Sequence, residues 1–231
     1  MLVSEVFNCD CLAYMKGLPD GHFALAVADP PYADAGQGFH DKRGRYGGRF
    51  DRYKKRDEHG EILEVDWDVA PPQEFWDELF RVSQNQIVWG ANHFSMPPTK
   101  CFVVWRKATI SEDFSMAMAE YAWTSFDTTP KVYEAMPQRD QKDMNFHPTQ
   151  KPIGLYAWLY RRYANPGDTI FDPMMGSQSS RIAAHFAGLD FYGCEIDKDY
   201  FEKGNERYER MCRGVEREGG ITIIQPTLFN D

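Results

Sequence analysis

FALAVADPPY, residues 23–32, joins an apolar run to an acidic, proline-containing turn. The unbroken apolar run predicts a strand that is buried on both faces. Asp29 follows at the carboxyl end of this strand, and Pro30 and Pro31 then impose an extended turn without backbone N–H donors. The turn therefore offers a carboxylate and carbonyl oxygens as acceptors, and Tyr32 adds a flat ring. These are the parts needed to hold the exocyclic amine of a nucleobase, although a simple proline turn capped by aspartate has the same sequence.

Strands and helices alternate on both sides of this stretch. Strands are predicted at 2–7, 23–28, 86–89, 101–105, 120–125, 169–171, 191–194 and 221–224. Helices are predicted at 12–18, 72–82, 152–163, 177–187 and 200–217. This alternation predicts an α/β fold with a doubly wound sheet. Residues 33–60 lack a clear period, which favours a functional or a disordered segment over a structural one.

A second group of residues lies where a later strand gives way to a helix. The segment 172–180, DPMMGSQSS, has small residues that let a ligand approach the backbone, next to a helix N-terminus that favours a negative group. Glu195 ends the next predicted strand, near the ~20-residue spacing at which an acidic side chain meets ribose hydroxyls. These features predict a nucleoside-type cofactor. An ordinary strand-to-helix turn followed by a glutamate remains the alternative.

Three motifs in one order carry a family resemblance: DPPY at 29–32, HPTQKP at 147–152 and DPMMGS at 172–177. In this order they resemble the permuted, β-class amino-methyltransferases of DNA. The resemblance implies a doubly wound, seven-stranded, Rossmann-like methyltransferase sheet in permuted order. It also implies a single domain over 1–224, in which 33–66 is the inserted segment that contacts DNA and recognises the target.

The resemblance implies a catalytic tetrapeptide and a set of contacts to S-adenosylmethionine. The catalytic residues would be Asp29, Pro30, Pro31 and Tyr32. The implied cofactor contacts are Asp10, Cys11, Asp29, His147, Thr149, Lys151, Asp172, Pro173, Met174, Gly176, Ser177, Gln178 and Glu195. Among these, Glu195 would hold the ribose. Gln178 departs from the family pattern, which usually has glycine there, and a positive φ at this position would strain a glutamine.

The implied reaction transfers a methyl group from S-adenosylmethionine to N6 of adenine in DNA, with the base flipped out of the duplex. Adenine is preferred because the tetrapeptide begins with Asp29, whereas the cytosine enzymes of this family more often begin with serine. Transfer to N4 of cytosine shares every motif and stays open. A catalytically inactive nucleic-acid-binding or clamp-binding protein on the same fold is a further alternative. Transfer to a protein glutamine would favour asparagine at position 29.

Charge is unevenly distributed along the chain. The formal net charge is −9, which argues against nucleic-acid binding through the whole surface. A basic cluster between 42 and 56, with a single aspartate among eight basic residues, suits local contact with DNA phosphates. Its members are Lys42, Arg43, Arg45, Arg49, Arg52, Lys54, Lys55 and Arg56. A charge run that is merely a solvated surface is the alternative.

The tail 225–231 contains QPTLF, which resembles the pentapeptide by which bacterial replication proteins dock on the sliding clamp. Gln225, Leu228 and Phe229 would make that contact, unless the apolar pair packs back onto the domain. The family resemblance also makes a homodimer an expectation.

Composition predicts neither a metal nor a membrane site. Five cysteines form no paired zinc spacing and no even disulfide framework, so reduced thiols are expected. No apolar run is long enough to span a bilayer, and the N-terminus lacks a basic segment followed by an apolar core. A cytoplasmic, nucleoid-associated protein is the expectation.

Overall fold

The structure, a computed structural model, describes residues 2–31, 70–110, 117–136, 146–147 and 149–213, and the backbone of 215–217 and 220–222. The main sheet is built from β1 (Ser4–Phe7), β2 (Phe23–Ala28), β3 (Ser83–Trp89), β4 (Phe102–Lys107), β5 (Ala119–Thr124), β6 (Lys131–Ala135), β7 (Thr169–Asp172) and β8 (Asp190–Cys194). The helices are α1 (Cys11–Lys16), α2 (Gln73–Val82), α3 (Ile153–Tyr163), α4 (Ser179–Ala187) and α5 (Lys198–Tyr208). Shorter turns of helix span Ala91–His93 and Glu209–Arg213.

The strand order is β1-β8-β7-β2-β3-β5-β4-β6. Strand β5 runs antiparallel to both β3 and β4, and the other neighbouring pairs are parallel. The chain passes from β7 through α4 to β8 on one side, and from β2 through α2 to β3 on the other. The order therefore reverses between β7 and β2. Open α/β sheets bind ligands outside the carboxyl ends of the strands at such a point.

Strand β2 explains why the central run is apolar without interruption. Leu25 and Val27 point into the core cluster that includes α3 and α4. Ala26 and Ala28 point to the opposite face, where they join the cluster beneath α1 and α2. Because both faces of the strand are covered, a two-residue polar alternation is absent. The same alternation places Asp29 on the α3 side of the sheet, just beyond Val27.

The sheet has eight strands among the described residues, so the prediction of seven was wrong. The additional strand, β6, pairs in parallel with β4 at the edge. Sequence inspection missed it because its outward side chains include the exposed Val132, and an edge strand of mixed polarity has no apolar run.

The prediction of one helix over 200–217 was also wrong at its end. Helix α5 stops at Tyr208, and residues 215–217 pair antiparallel with 220–222 as strands β9 and β10. Paired glycines at 219–220, followed by the β-branched Ile221 and Thr222, disfavour a continuing helix and favour a strand after them. The other predicted helices and strands are confirmed within a few residues at their ends.

No helix in the described part of the chain is long and apolar enough to cross a bilayer.

Candidate active site

Asp29 lies at the carboxyl end of β2, next to β7, at the reversal of strand order. Its Oδ2 accepts an ion-paired hydrogen bond from Nζ of Lys151, a residue just ahead of α3. Pro30 is buried and Pro31 is half-buried. The carboxylate and the proline backbone predicted to act together are therefore adjacent at one edge of the sheet.

The Lys151 ammonium also faces a second carboxylate. Its Nζ lies 3.3 Å from Oε2 of Glu120, near the start of β5. Oε1 of Glu120 lies 2.6 Å from Nζ of Lys107, the last residue of β4. Four charges of alternating sign thus cross the sheet from β2 to β4. Sequence reasoning placed Lys151 beside the cofactor, and in the structure its ammonium binds the predicted catalytic carboxylate.

Burial raises the pKa of both carboxyl groups, and the neighbouring lysines lower it. Burial raises the pKa of Asp29 above its ordinary value, and the attraction of Lys151 only partly opposes that rise. Burial acts in the same direction on Glu120, but Lys151 and Lys107 together bring its pKa below the ordinary value. Glu120 is thereby held as an anion.

Trp89 ends β3 beneath this array of charges. It is fully buried, and Nζ of Lys151 lies 5.5 Å from its ring centroid, within cation–π range. The indole Nε1 has no hydrogen-bond partner among the described residues. A buried indole N–H that lacks a partner is unusual in a folded protein and is a donor available to a ligand or a water.

The turn after β7 is shaped by Asp172. This residue is 2% exposed, and its Oδ2 accepts from the Ser180 hydroxyl while Oδ1 accepts from Met174 N–H at 3.1 Å. Burial, together with the charges of Asp29 and Glu195, raises its pKa to about 7 against the effect of those two hydrogen bonds. The carboxyl groups predicted to serve catalysis and cofactor binding therefore act on one another electrostatically.

Gly176 and His147 bring two predicted motifs together. Gly176 has a φ of +48°, and a Cβ on it would lie 3.0 Å from Nε2 of His147. Only glycine meets both conditions without strain. Burial, and then the charge of Lys151, lower the pKa of His147 to about 4, so its ring is neutral at pH 7. Its Nδ1 lies 3.3 Å from the hydroxyl of Thr149, and its ring packs edge-on against Tyr200.

Glu195 follows β8 and links two loops. Its Oε2 accepts from Gly176 N–H at 2.7 Å and its Oε1 from Asp197 N–H at 2.9 Å. Burial raises the pKa of this carboxyl, and the two N–H donors oppose the rise. The next residue, Ile196, is 60% exposed, so an apolar surface adjoins an acceptor. This combination suits a nucleoside, which presents hydroxyl groups and an apolar ring face.

Gln178 has a φ of +59°, the strained conformation that sequence reasoning anticipated. Its side chain turns away from the strand ends: Nε2 donates to the Phe201 carbonyl and to Oδ1 of Asn205 at 3.2 Å each, and Oε1 accepts from Arg181 at 2.9 Å. Its amide group is thus used within the packing of α4 against α5. Any contact from this residue to a cofactor must come from its backbone.

Asp10 and Cys11 begin α1, at the carboxyl end of β1. Oδ1 of Asp10 accepts from Ala13 N–H at 2.8 Å and caps the helix. Burial, followed by the charge of Asp10, raises the pKa of the Cys11 thiol to about 12. Asn8, just ahead, donates to the carbonyls of Glu195 and Ile196. The end of β1 is therefore tied to the loop after β8, as a shared binding site requires.

Residues 71–206 match the model of the N6/N4 methyltransferase family, described as DNA methylase. The chain belongs to this DNA methylase family. Two of its sequence motifs follow β2 and β7, the third lies just ahead of α3, and S-adenosylmethionine is the cofactor. The buried carboxyl groups of Asp172 and Glu195, the glycine turn and the exposed Ile196 fit the polar and apolar parts of that molecule.

Similar proteins agree with this family. The methylase is 25% identical over 229 residues to YubD of Escherichia coli K12, covering 93% of this chain and 94% of that protein. It is 38% identical over 63 residues to the DNA adenine methyltransferase YhdJ of the same organism, covering 27% and 21%. The fold matches Thermus thermophilus TTHA0409, solved with S-adenosyl-L-methionine, with a TM-score of 0.55, 17% identity and coverage of 92% and 96%.

Several predicted parts of the methylase lie outside the described residues. They are Tyr32, the whole insertion 33–66 with its basic cluster, Pro148 and the tail 225–231. The stacking ring, the DNA contacts and the clamp contact therefore stay predictions.

Sequence reasoning missed residues that support the site from other elements. Arg207 of α5 is 1% exposed and donates to the Ser177 carbonyl at 2.8 Å and to the Ser179 hydroxyl at 2.9 Å, so it holds the cofactor turn in place. Glu120, Lys107, Trp89 and Ile196 were missed as well. None belongs to a short motif. Only an unexpected charge at the end of a predicted strand, as at Glu120 and Lys107, could have drawn attention to them.

Proposed function

We propose that this DNA methylase transfers the methyl group to N6 of adenine, from a base flipped out of the duplex. The observation that carries the proposal is the position of Asp29, at the sheet reversal and beside the buried Pro30. The tetrapeptide begins with Asp rather than Ser, which favours adenine. The local similarity to an adenine methyltransferase, YhdJ, supports the same choice.

The chemistry follows from the weak nucleophilicity of an exocyclic amine, whose lone pair is delocalised into the ring. The Asp29 carboxylate and the Pro30 carbonyl accept the two amine hydrogens, which favours a pyramidal nitrogen with a localised lone pair. S-adenosylmethionine supplies a methyl group that is already activated by its sulfonium. The protein therefore contributes chiefly positioning and electrostatic stabilisation.

Asp29 also stabilises the positive charge that develops on the amine nitrogen during the reaction. As the N–C bond forms, the nitrogen becomes positive, and an adjacent carboxylate stabilises that charge and accepts the departing proton. Lys151 opposes protonation of Asp29 in the resting protein. Because burial leaves the Asp29 pKa raised, methyl transfer is expected to decline as pH falls through that pKa.

The test is methylation of duplex DNA followed by digestion and identification of the modified nucleoside. N6-methyl-2′-deoxyadenosine is expected, and N4-methyl-2′-deoxycytidine would establish the alternative. Asp29→Ala should abolish transfer but retain cofactor affinity by calorimetry. Asp127→Ala, at an exposed aspartate paired with Lys100, is the matched control and should remain active. Activity without the Asp29 carboxylate would refute its role.

The inactive alternative named Gln178 as its possible lesion. This residue has a positive φ, and its side chain is held by hydrogen bonds from α4 and α5. Measured binding of S-adenosylmethionine separates an active enzyme from this alternative.

Clamp docking through Gln225, Leu228 and Phe229 is proposed on the pentapeptide alone. Deleting 225–231 should abolish affinity for a bacterial sliding clamp without changing methyl transfer to short DNA. Unchanged clamp affinity would contradict the proposal.

A homodimer is proposed on the family resemblance alone, and analytical sedimentation would test it.

A further inference from the structure

The charges at the active site extend well beyond Asp29. The inference below rests on the proposed function and concerns the same site. Strand register places the side chains of Asp29, Glu120 and Lys107 on one face of the sheet. Glu120 lies opposite Trp105 in the β4–β5 pair, and Lys107 is two residues farther along β4, so both face the side covered by α3.

The outer pair is unusually enclosed for two ionised groups. The Lys107 side chain is 10% exposed and that of Glu120 is 26% exposed. The Lys107 ammonium also lies 5.1 Å from the ring centroid of Trp105. Enclosing a lysine is unfavourable unless it is paired, and a pair in this setting specifies geometry more than it adds stability. A role in orienting the inner pair explains why charges occur here.

Lys151 contacts two carboxylates, Asp29 and Glu120, and only Asp29 is predicted to engage the target amine. In the resting protein its ammonium binds Asp29 and lies 3.3 Å from Glu120. When an amine engages Asp29, a lysine held by Asp29 alone would compete for the same oxygens. A second anion on the far side of Lys151 draws the ammonium back and leaves the Asp29 carboxylate a stronger acceptor.

We propose that Glu120, itself oriented by Lys107, is a positioning residue for methyl transfer that holds the Lys151 ammonium while the target amine engages Asp29. Glu120 does not touch the reacting atoms. It acts through Lys151, and Lys107 acts through Glu120.

The charged and titratable groups around Asp29 set the sign of each effect on pH dependence. They are Lys151, Glu120, Lys107, Asp172, the Tyr156 hydroxyl on α3, and the neutral His147. Glu120 raises the pKa of Asp29, whereas Lys107 lowers it. Removing the first charge should therefore move the acid limb of the pH–kcat profile to lower pH. Removing the second should move it to higher pH.

The experiment compares Glu120→Gln and Lys107→Met in single-turnover methyl transfer over a range of pH. Each should lower the plateau rate by about ten- to hundredfold, because small misplacements of catalytic groups have effects of this size. The KM for S-adenosylmethionine should stay within about twofold. The two substitutions change the position of groups near Asp29 and should leave ground-state binding of the cofactor as it is. The acid limbs should shift in opposite directions.

Matched controls come from an exposed ion pair between β4 and the edge strand β6. Arg106 and Glu134 are paired at 2.9 Å, with side chains 63% and 54% exposed. Arg106→Met and Glu134→Gln make the same charge changes one residue away on β4 and on the adjoining β6. They should retain both the wild-type plateau and the wild-type acid limb.

Glu120→Asp keeps the experiment decisive if Glu120→Gln folds poorly. It retains the charge on a shorter side chain, so it should keep the acid limb near its wild-type position while lowering the plateau. Wild-type kinetics in Glu120→Gln, or equal limb shifts in the Arg106 and Glu134 controls, would overturn the inference. Those results with an inactive Asp29→Ala would leave the proposed function standing, whereas an active Asp29→Ala would remove both.

Discussion

At the residue scale, burial raises the pKa values of the carboxyl groups in the site, and the charge of one carboxyl group affects the pKa of another. Asp172 shows this most clearly, because it is 2% exposed and burial raises its pKa to about 7. A carboxyl group with a raised pKa in the folded protein favours folding while it is protonated. That contribution is complete below its unfolded pKa, near 4, and is lost as pH rises through about 7. Ionisation of Asp172 therefore lowers the stability of the folded protein at neutral pH.

Asp172→Asn tests this assignment. The amide mimics the neutral carboxyl group and can still accept from Met174 N–H and donate to Ser180. The variant should exceed the wild type in free energy of unfolding by roughly 2 to 4 kcal/mol at pH 8. The difference should shrink toward pH 5. Urea denaturation across this range measures it.

The control for Asp172 is Asp127→Asn, at an exposed position, which should show no comparable pH-dependent gain. The Asp172→Asn variant should also bind S-adenosylmethionine more weakly. A variant whose stability gain is the same at pH 5 and pH 8 would contradict the raised pKa.

At the element scale, the packing of α4 against α5 depends on one residue with a strained backbone, Gln178. Gln178 stands at the start of α4 with a positive φ, and its side chain lies against Gly204 in the middle of α5. A Cβ at position 204 would lie 2.6 Å from Nε2 and 2.7 Å from Cγ of Gln178. Because the amide is hydrogen-bonded to Phe201 and Asn205, the side chain cannot simply swing aside. The glycine in α5 thus leaves room for the Gln178 side chain.

A double-mutant cycle at these two positions tests the match. Gly204→Ala alone should destabilise the protein by roughly 1 to 3 kcal/mol through overpacking. In a Gln178→Gly background the same change should stabilise it by up to about 1 kcal/mol, because alanine favours a helix interior over glycine. Thermal and urea denaturation of the four proteins give the coupling energy. An effect of the same sign in both backgrounds would show that the two residues do not compete for space.

At the scale of the whole molecule, an acidic protein has to bind a polyanion. The net charge is −9, and the basic residues of 42–56 follow soon after the catalytic tetrapeptide in the chain. Local neutralisation of phosphates near the active site, with repulsion elsewhere, would orient DNA on one face.

Replacing Arg49, Arg52 and Lys54 together with glutamine should weaken DNA binding and flatten its salt dependence. If all three contact phosphates, the slope of log K against log salt should fall in magnitude by about 2 to 3. Affinity measured at several salt concentrations gives the slope. Replacing the exposed Lys100, Arg106 and Lys198 with glutamine makes the same change in net charge elsewhere. Equal slopes for the two triple variants would indicate that the basic cluster is an ordinary solvated surface without phosphate contacts.

Much of the fold could be predicted from local patterns, because the central strands are apolar on both faces and end at acidic or glycine-containing turns. Strand β2 with Asp29, and β7 with Asp172, follow from such patterns alone. The edge strand β6 and β9, the first strand of the hairpin after α5, could not, since neither stretch contains an apolar run.

The sequence by itself determined the family, the cofactor class and the residues of the motifs, because turn chemistry and strand hydrophobicity are encoded by neighbours along the chain. Only the tertiary structure decided that Lys151 binds Asp29, that Glu120 and Lys107 continue this array, and that Gln178 packs against Gly204. Those contacts join residues far apart in sequence. Strand order and register bring them together, and no local pattern records which distant charge will face a given carboxylate.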